Sequence, residues 1–284
     1  MQLNQPQRDT SMDKETSDER LHELEQLSVI AIREARVQFK NPALLWSCGK
    51  DSQTLLWLCR SSFFGINPFP VVFIDTGWHK IELLRFRDQQ VEELGLNLIV
   101  AKNEKALSEG QGPSKSDKFT CCHKLKTVAL MDCVEENGFD ALFLGIRRDE
   151  HGIRAKERMW SPRNKDFKWN YMDQSPELWD HYDSEMNPGE HYRIHPLLAW
   201  REIDVWSYVK KNNLPVCPLY FASEGKRYRS LGCDPCSSPI DSDADTLDAI
   251  MKELCTTTDA ERDGRAQDKE DTYNMQRLHA LGYM

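Results

Sequence analysis

Residues 44–58 read Leu44-Leu45-Trp46-Ser47-Cys48-Gly49-Lys50-Asp51-Ser52-Gln53-Thr54-Leu55-Leu56-Trp57-Leu58. The apolar run Ala43–Trp46 stops at Ser47, where small and polar residues take over. Apolar residues return at helical spacing through Leu55, Leu56, Leu58 and Cys59. This pattern predicts a buried strand, a tight loop and a helix opening at Asp51. A helix start presents unpaired N–H groups and the positive end of its dipole, and so receives phosphate well. Gly49 lets the backbone approach a ligand closely, Lys50 adds a point charge, and Ser47 and Ser52 add hydroxyls. The spacing is not that of a Walker A loop, which needs a longer glycine stretch before Lys-Ser/Thr. For so short a loop, an ordinary capped strand–turn–helix is the competing reading.

Outward from this stretch, apolar runs and helical periods alternate. Residues 19–39 carry Leu21, Leu24, Leu27, Ile30 and Ile32 at helical spacing. Strands are expected at Pro70–Asp75, Leu96–Val100, Ala141–Gly145 and Tyr192–Pro196. Helices are expected at Lys80–Leu94 and Cys121–Asn137, the second stopped by Gly138. Alternation of this kind implies an α/β fold, a doubly wound parallel sheet, with ligands beyond the carboxyl ends of the strands where Ser47, Asp75 and Arg147 fall. Residues 1–18 are polar and read as a disordered tail. Residues 19–200 make the α/β domain, and 201–284 an irregular, helical, cysteine-bearing extension with short helices near Leu247–Leu254 and Met275–Leu281.

The chain has 284 residues, 39% hydrophobic and 29% charged, with a net charge of −9. Those values suit a globular protein and argue against one that simply coats nucleic acid. No apolar run approaches membrane-spanning length and the N-terminus lacks signal-peptide features, so the cytoplasm is the expected compartment. In a reducing compartment the nine cysteines point to metal or catalysis before disulfides.

The loop Ser47-Cys48-Gly49-Lys50-Asp51-Ser52 resembles the Ser-Gly-Gly-Lys-Asp-Ser pyrophosphate loop of the N-type ATP pyrophosphatases, with Cys48 standing where that family has glycine. Phe73-Ile74-Asp75-Thr76-Gly77 resembles the strand end of the branch that holds sulfate adenylyltransferase small subunits and phosphoadenylylsulfate reductases. Gly145-Ile146-Arg147-Arg148-Asp149-Glu150, Arg154–Arg158 and Thr256–Arg262 resemble the adenylyltransferase subunit in particular. The resemblance implies an adenine nucleotide alpha hydrolase-like fold and ATP with Mg2+. It puts Ser47, Cys48, Gly49, Lys50, Asp51, Ser52, Asp75, Thr76, Gly77 and Gly145 at the nucleotide. Lys50, Asp51, Arg147 and Arg148 are the catalytic candidates, and Asp51 is the expected magnesium partner.

Two further constellations stand out. Arg147–Lys168 holds eight basic residues against four acidic ones, with Trp160 and Phe167 interleaved. It reads as a basic island suited to pyrophosphate, sulfate or a nucleic-acid backbone, or else as a solvated charged loop. The adjacent pair Cys121-Cys122 and the Cys233-Asp234-Pro235-Cys236 turn together supply four thiols, the usual complement of a [4Fe–4S] cluster. A four-thiolate zinc site and a redox pair are the alternatives. The quartet resembles the iron–sulfur sulfurtransferases of the same superfamily, including those of DNA phosphorothioation. Cys59, Cys133, Cys217 and Cys255 read as structural. The histidines show no metal-ligand spacing.

Three activities compete. Iron–sulfur adenylylsulfate reductases carry a Glu-Cys-Gly tail, whereas this chain ends Leu281-Gly282-Tyr283-Met284. A sulfate adenylyltransferase small subunit accounts for the body of the chain, needs no cluster and works with a GTPase partner. An ATP-dependent sulfurtransferase accounts for both loop and cysteines, and is the expectation placed first. It implies a cysteine desulfurase as sulfur donor, DNA with partner modification proteins as acceptor, and room for a homodimer. A nucleotide-sensing module would keep the loop but leave the quartet unexplained.

Overall fold

The computed structural model describes residues 16–172, 174–177, 182, 185–262, 265, 277–278 and 280–282. The expected disordered tail falls almost wholly outside the described residues; of the expected helix Met275–Leu281, residues 277, 278 and 280 are helical and residues 275, 276 and 279 lie outside the described residues.

The described chain runs α1 (Asp18–Gln38), β1 (Pro42–Leu45), α2 (Lys50–Ser62), β2 (Val71–Ile74), α3 (Ile81–Leu94), β3 (Leu98–Ala101) and α4 (Glu104–Ser108). Next come α5 (Lys118–Cys122), a π-helical turn (His123–Val128) and α6 (Ala129–Asn137), which together fill the helix expected at 121–137. Gly138 ends it in the left-handed region at φ 64°. The rest is β4 (Ala141–Phe143), β5 (Trp160–Arg163), β6 (His191–Ile194), α7 (Glu202–Lys211), a two-stranded ribbon of β7 (Lys226–Arg227) and β8 (Ile240–Asp241), and α8 (Leu247–Thr256).

Six strands form the main sheet in the order β3-β2-β1-β4-β6-β5. All pairings are parallel except β5 with β6. Chain order runs outward from β1 to β3, then reverses to β4 on the other side of β1. The crevice beyond β1 and β4 is therefore a topological switch point, the usual place for a ligand in such sheets.

Both faces of the sheet are covered, as its near-continuous apolar strands require. Leu44, Trp46, Val71, Phe73, Phe143 and Ile194 face a core shared with α1, α2, α3 and α7. Their neighbours Ala43, Leu45, Val72, Ile74, Leu142 and Leu144 face the opposite core, where Ala129, Leu130, Cys133 and Val134 of α6 pack. Trp206, Tyr208, Tyr220 and Ile250 join the first of these cores, so residues on both sides of position 200 share it.

β5 was not expected. It lies inside the basic segment and contains Pro162, which is tolerated because an edge strand needs no N–H donor on its outer side.

Asp204 of α7 ties the two sides of position 200 together. It accepts from Arg20 of α1 at 3.0 Å, from the Arg201 guanidinium at 2.9 Å and from the Arg201 backbone N–H at 2.8 Å. Burial alone would raise its pKa, but these bonds and one from Thr16 outweigh burial and hold it at about 2. A depressed carboxylate stabilises the fold above its unfolded value of about 4, and that contribution is lost as pH falls to its folded value. Asp204→Asn is expected to lower the free energy of unfolding by about 2 kcal/mol at pH 7. In urea titrations, its difference from the parent protein should shrink steadily between pH 5 and pH 2.

Candidate active site

The phosphate-loop candidates stand at the switch point. Gly49 caps α2 without a side-chain hydrogen bond, so no cap side chain takes the first-turn N–H groups. The loop is braced from within: Ser47 and Ser52 hydroxyls lie 3.1 Å apart, and Ser52 Oγ donates to the Gly49 carbonyl at 3.0 Å. Trp46 Nε1 donates to Gln53 at 2.9 Å, and Gln53 to Gln90 at 3.0 Å, fixing the strand–loop–helix junction through a buried polar chain. Tyr220 accepts from the Lys50 backbone N–H at 2.8 Å.

A cleft of about 160 Å3 opens over this loop, lined by Ser47, Gly49, Lys50, Asp51, Ser52 and Gly145. Its other walls come from Phe73, Ile74 and His79 of the β2 end, from Glu150 and Arg154 after β4, and from the C-terminal half through Tyr220, Ser230–Cys233, Arg262 and Arg265. Cys48 does not line it. Its side chain packs in the core, and its backbone takes φ 61°, the left-handed conformation that favours glycine. That conformation accounts for the glycine the resembling loops carry here. The buried thiol is pushed well up by desolvation and by Cys217 beside it.

Lys50 and Arg147 are almost completely buried and share carboxylates. Lys50 donates to Asp51 at 3.1 Å and to Glu261, and lies 4.0 Å from Glu202. Arg147 donates to Asp51 at 2.6 Å, and also to Asp149 and Glu261. Arg229 holds Glu202 at 2.8 Å. Burial works against the charge on Lys50 and Arg147, but Asp51 and Glu261 overcome it and raise both pKa values. Glu261, buried between the two cations, is held well below the ordinary carboxylate range by Arg147 and Lys50. Arg147 lies behind the cleft wall and does not line it. Arg148 is exposed and reaches the Glu157 carbonyl at 3.3 Å, also away from the cleft.

Only half of the basic island's eight cations are exposed, and Arg158 is half-buried. Arg147, Arg154 and Arg163 are buried in ion pairs with Asp51, Glu150 and Glu157, while Arg148, Lys156, Lys165 and Lys168 are exposed. Sequence spacing counts charges but does not show which are already neutralised.

Asp75, Thr76 and Gly77, expected at the nucleotide, do not line the cleft and lie beside the cysteine turn instead. Asp75 accepts from the Gly77 N–H at 2.8 Å, a local turn, while α3 is capped by Lys80. Thr76 Oγ1 lies 3.2 Å from Cys233 Sγ, and the Asp234 N–H donates to Trp78 O at 2.7 Å. These bonds hold the Cys233–Cys236 turn against the β2 end.

Cys121, Cys122, Cys233 and Cys236 are all buried. Desolvation, with the other three thiols close by, pushes Cys121 up to about 12. Cys236 rises for the same reasons, tempered by Lys126 and Lys118. The structure thus gathers the quartet into one neighbourhood, with Cys233 on the cleft wall. Among the described residues, however, no group of three or more His, Cys, Asp or Glu stands close enough to hold a metal ion.

The phosphoadenosine phosphosulfate reductase domain matches residues 41–239. The chain belongs to that family. It is also similar to sulfate adenylyltransferase subunit 2 of Phocaeicola vulgatus, 38% identical over 293 residues covering 93% of this chain and 97% of the relative. Among solved structures, an FMN adenylyltransferase of Candida glabrata in complex with FAD and inorganic pyrophosphate superposes with a TM-score of 0.57. It is 16% identical, over 96% of this chain and 89% of its own. The U34-tRNA thiolase NcsA from Methanococcus maripaludis with its [4Fe–4S] cluster gives 0.50 at 16% identity, over 93% of this chain and 78% of its own. At such identities the two structures speak to the fold alone. The curated relative favours the adenylyltransferase reading, which sequence analysis placed second. Among the described residues, no helix is long and apolar enough to cross a membrane.

Sequence reasoning assigned no role to Glu261, Glu202, Tyr220, Arg262 or Arg265. The first and fourth lie in the Thr256–Arg262 stretch already singled out by its resemblance, which was the available signal.

Gly145 binds the site together. A Cβ there would come within 2.9 Å of the Asp51 backbone carbonyl and 3.0 Å of the Ser52 backbone nitrogen. Gly145→Ala is expected to cost about 1–3 kcal/mol, because backbone on both sides must move. Calorimetric melting should show a lower Tm, whereas Gly152→Ala, with open space around it, should leave Tm much closer to the parent value.

Proposed function

We propose that this protein is an ATP-dependent adenylyltransferase acting on an oxyanion, with sulfate as the first candidate. The observation that carries the reading is near-full-length similarity to a sulfate adenylyltransferase subunit, with the Ser47–Ser52 loop kept at the head of the cleft. In this reading an acceptor oxygen attacks the α-phosphorus of ATP. The new P–O bond forms as the bond to the bridging oxygen breaks, and pyrophosphate leaves with the electron pair. Charge accumulates on the leaving pyrophosphate, where Lys50 and the start of α2 can stabilise it. Ser47 and Ser52 orient phosphate oxygens, and Gly49 keeps the backbone within reach. Asp51 is the cleft carboxylate suited to magnesium, which supplies further neutralisation of the phosphates when bound.

A second reading, sulfur transfer onto an adenylated acceptor, is favoured by one observation: Cys233 lines the same cleft as Lys50. Four buried thiols fit a [4Fe–4S] cluster in kind and number, although not in their present spacing. Cys121, Cys122, Cys233 and Cys236 would hold it, and it would supply an anchoring point for sulfide. A cysteine desulfurase, DNA with its modification proteins, and self-association belong to this reading. Burial of Arg147, Arg154 and Arg163 leaves the DNA acceptor with four exposed basic residues in the segment that prompted it.

Pyrophosphate release from ATP should be measured with sulfate, DNA and tRNA as acceptors, with and without a GTPase partner subunit. Sulfate-dependent release that falls about 10²–10³-fold in Lys50→Met, from protein without iron, is the expected result. Release that no acceptor stimulates, or that survives Lys50→Met, would overturn the first reading. About four irons and matching acid-labile sulfide per chain in anaerobically purified protein, lost in Cys121→Ser, would move the second reading to first.

A further inference from the structure

We infer that Glu261 is an internal occupant of the phosphate site, and that residues 257–262 withdraw when a nucleotide binds. This inference rests on the proposal that ATP binds at the Lys50 loop.

The geometry that motivates it is one carboxylate bridging two cations. Glu261 accepts from Lys50 Nζ with one oxygen and from Arg147 Nη2 with the other. A phosphate group offers oxygens to paired cations in the same way. The buried set around Lys50 already carries more negative than positive charge. Asp51, Asp149, Glu202 and Glu261 supply four negative charges against the three positive charges of Lys50, Arg147 and Arg229. Adding a polyphosphate to that buried set places like charges together in a medium of low dielectric, where repulsion is strongest. Removing Glu261 relieves the excess negative charge and leaves three charges of each sign.

Glu261 is the member of the set best placed to leave. Asp51 sits in the first turn of α2, Asp149 follows β4 and Glu202 opens α7, whereas Glu261 follows the exposed residues Thr258, Asp259 and Ala260. The main described ties of that stretch are polar: Asp259 O accepts from Arg229 at 2.8 Å, and Arg262 donates to Glu150 at 2.9 Å. Glu261 also borders a second cavity of about 460 Å3, lined in addition by Thr257, Asp259 and Ala260. The carboxylate therefore has space to move into. Its departure also explains how Arg147, which does not line the cleft now, would come to face a ligand there.

The exchange makes a competition between two anions for the same cations, so neutralising one should strengthen the other. Glu261→Gln keeps the shape and removes the charge. Equilibrium binding of an ATP analogue with a methylene between the α- and β-phosphates should be measured on the full chain, its Glu261→Gln variant and its Lys50→Met variant. The expected result is binding at least tenfold tighter in Glu261→Gln and at least tenfold weaker in Lys50→Met. Hydrogen exchange on the unmodified protein supplies a readout that does not depend on the variant folding: the analogue should speed exchange of the 257–262 amides. Equal or weaker binding by folded Glu261→Gln, or slower exchange at 257–262, would overturn the inference and leave Glu261 as a residue that positions Lys50 and Arg147. Absence of any analogue binding by the unmodified protein would instead refute the ATP reading, and the inference would fall with it.

Discussion

A lysine with 1% of its side chain exposed keeps its charge only if carboxylates replace the water it has lost. Lys50 has Asp51 from its own helix and Glu261 from far along the chain, and both also hold Arg147. This shared set fixes three distant regions at one point: the start of α2, the exit of β4 and the segment after α8. Removing one partner from such a set leaves a buried charge uncompensated, which typically costs about 3–5 kcal/mol. The segment after α8 thus closes the buried ion set around Lys50, and that set is complete only while the segment stays in place.

Sequence periodicity made most of this fold legible. Strand–helix alternation located β1, β2, β3, β4 and β6 within a few residues, and Gly138 marked the end of α6 as expected. β5 was hidden because Trp160-Ser161-Pro162-Arg163 has no clean alternation and sits in a run of charge. The same run misled in another way. Arg147, Arg154 and Arg163 look identical in sequence to solvated arginines, and only their carboxylate partners make them interior residues. For Arg147, one of those partners is more than 100 positions away. The local half of the candidate site was legible in Ser47–Ser52, of which all but Cys48 line the cleft. The half supplied by Glu202, Tyr220 and Glu261 depends on contacts that no local pattern encodes.

The loop itself shows how backbone constraints outlast side-chain changes. Cys48 adopts a left-handed φ that costs an L-residue about 1–2 kcal/mol relative to the usual region. Its thiol is compensated by burial in the core beside Cys217, so the loop path survives without the glycine found in the resembling motifs. Gly145 has no such latitude, because its missing Cβ is the space that the Asp51–Ser52 backbone occupies. A glycine needed for conformation can be replaced at moderate cost, whereas one needed for close approach cannot.

The two readings of the chemistry share their first step and part afterwards. Adenylation of an oxyanion ends the reaction in one and prepares a leaving group in the other. Both need the Lys50 loop, so that loop cannot discriminate between them. The discriminating residues lie on the opposite wall, where Thr76 meets Cys233 and where Cys121, Cys122 and Cys236 gather behind it. Cys121 and Cys236, their thiols raised by burial and by the neighbouring thiols, are poor nucleophiles as they stand. If they serve the reaction, they must do so as ligands whose charge a metal stabilises. If they do not, their proximity is a packing arrangement. The chemistry of this protein therefore turns on what its cysteines hold, and the phosphate loop sets only what is done to ATP.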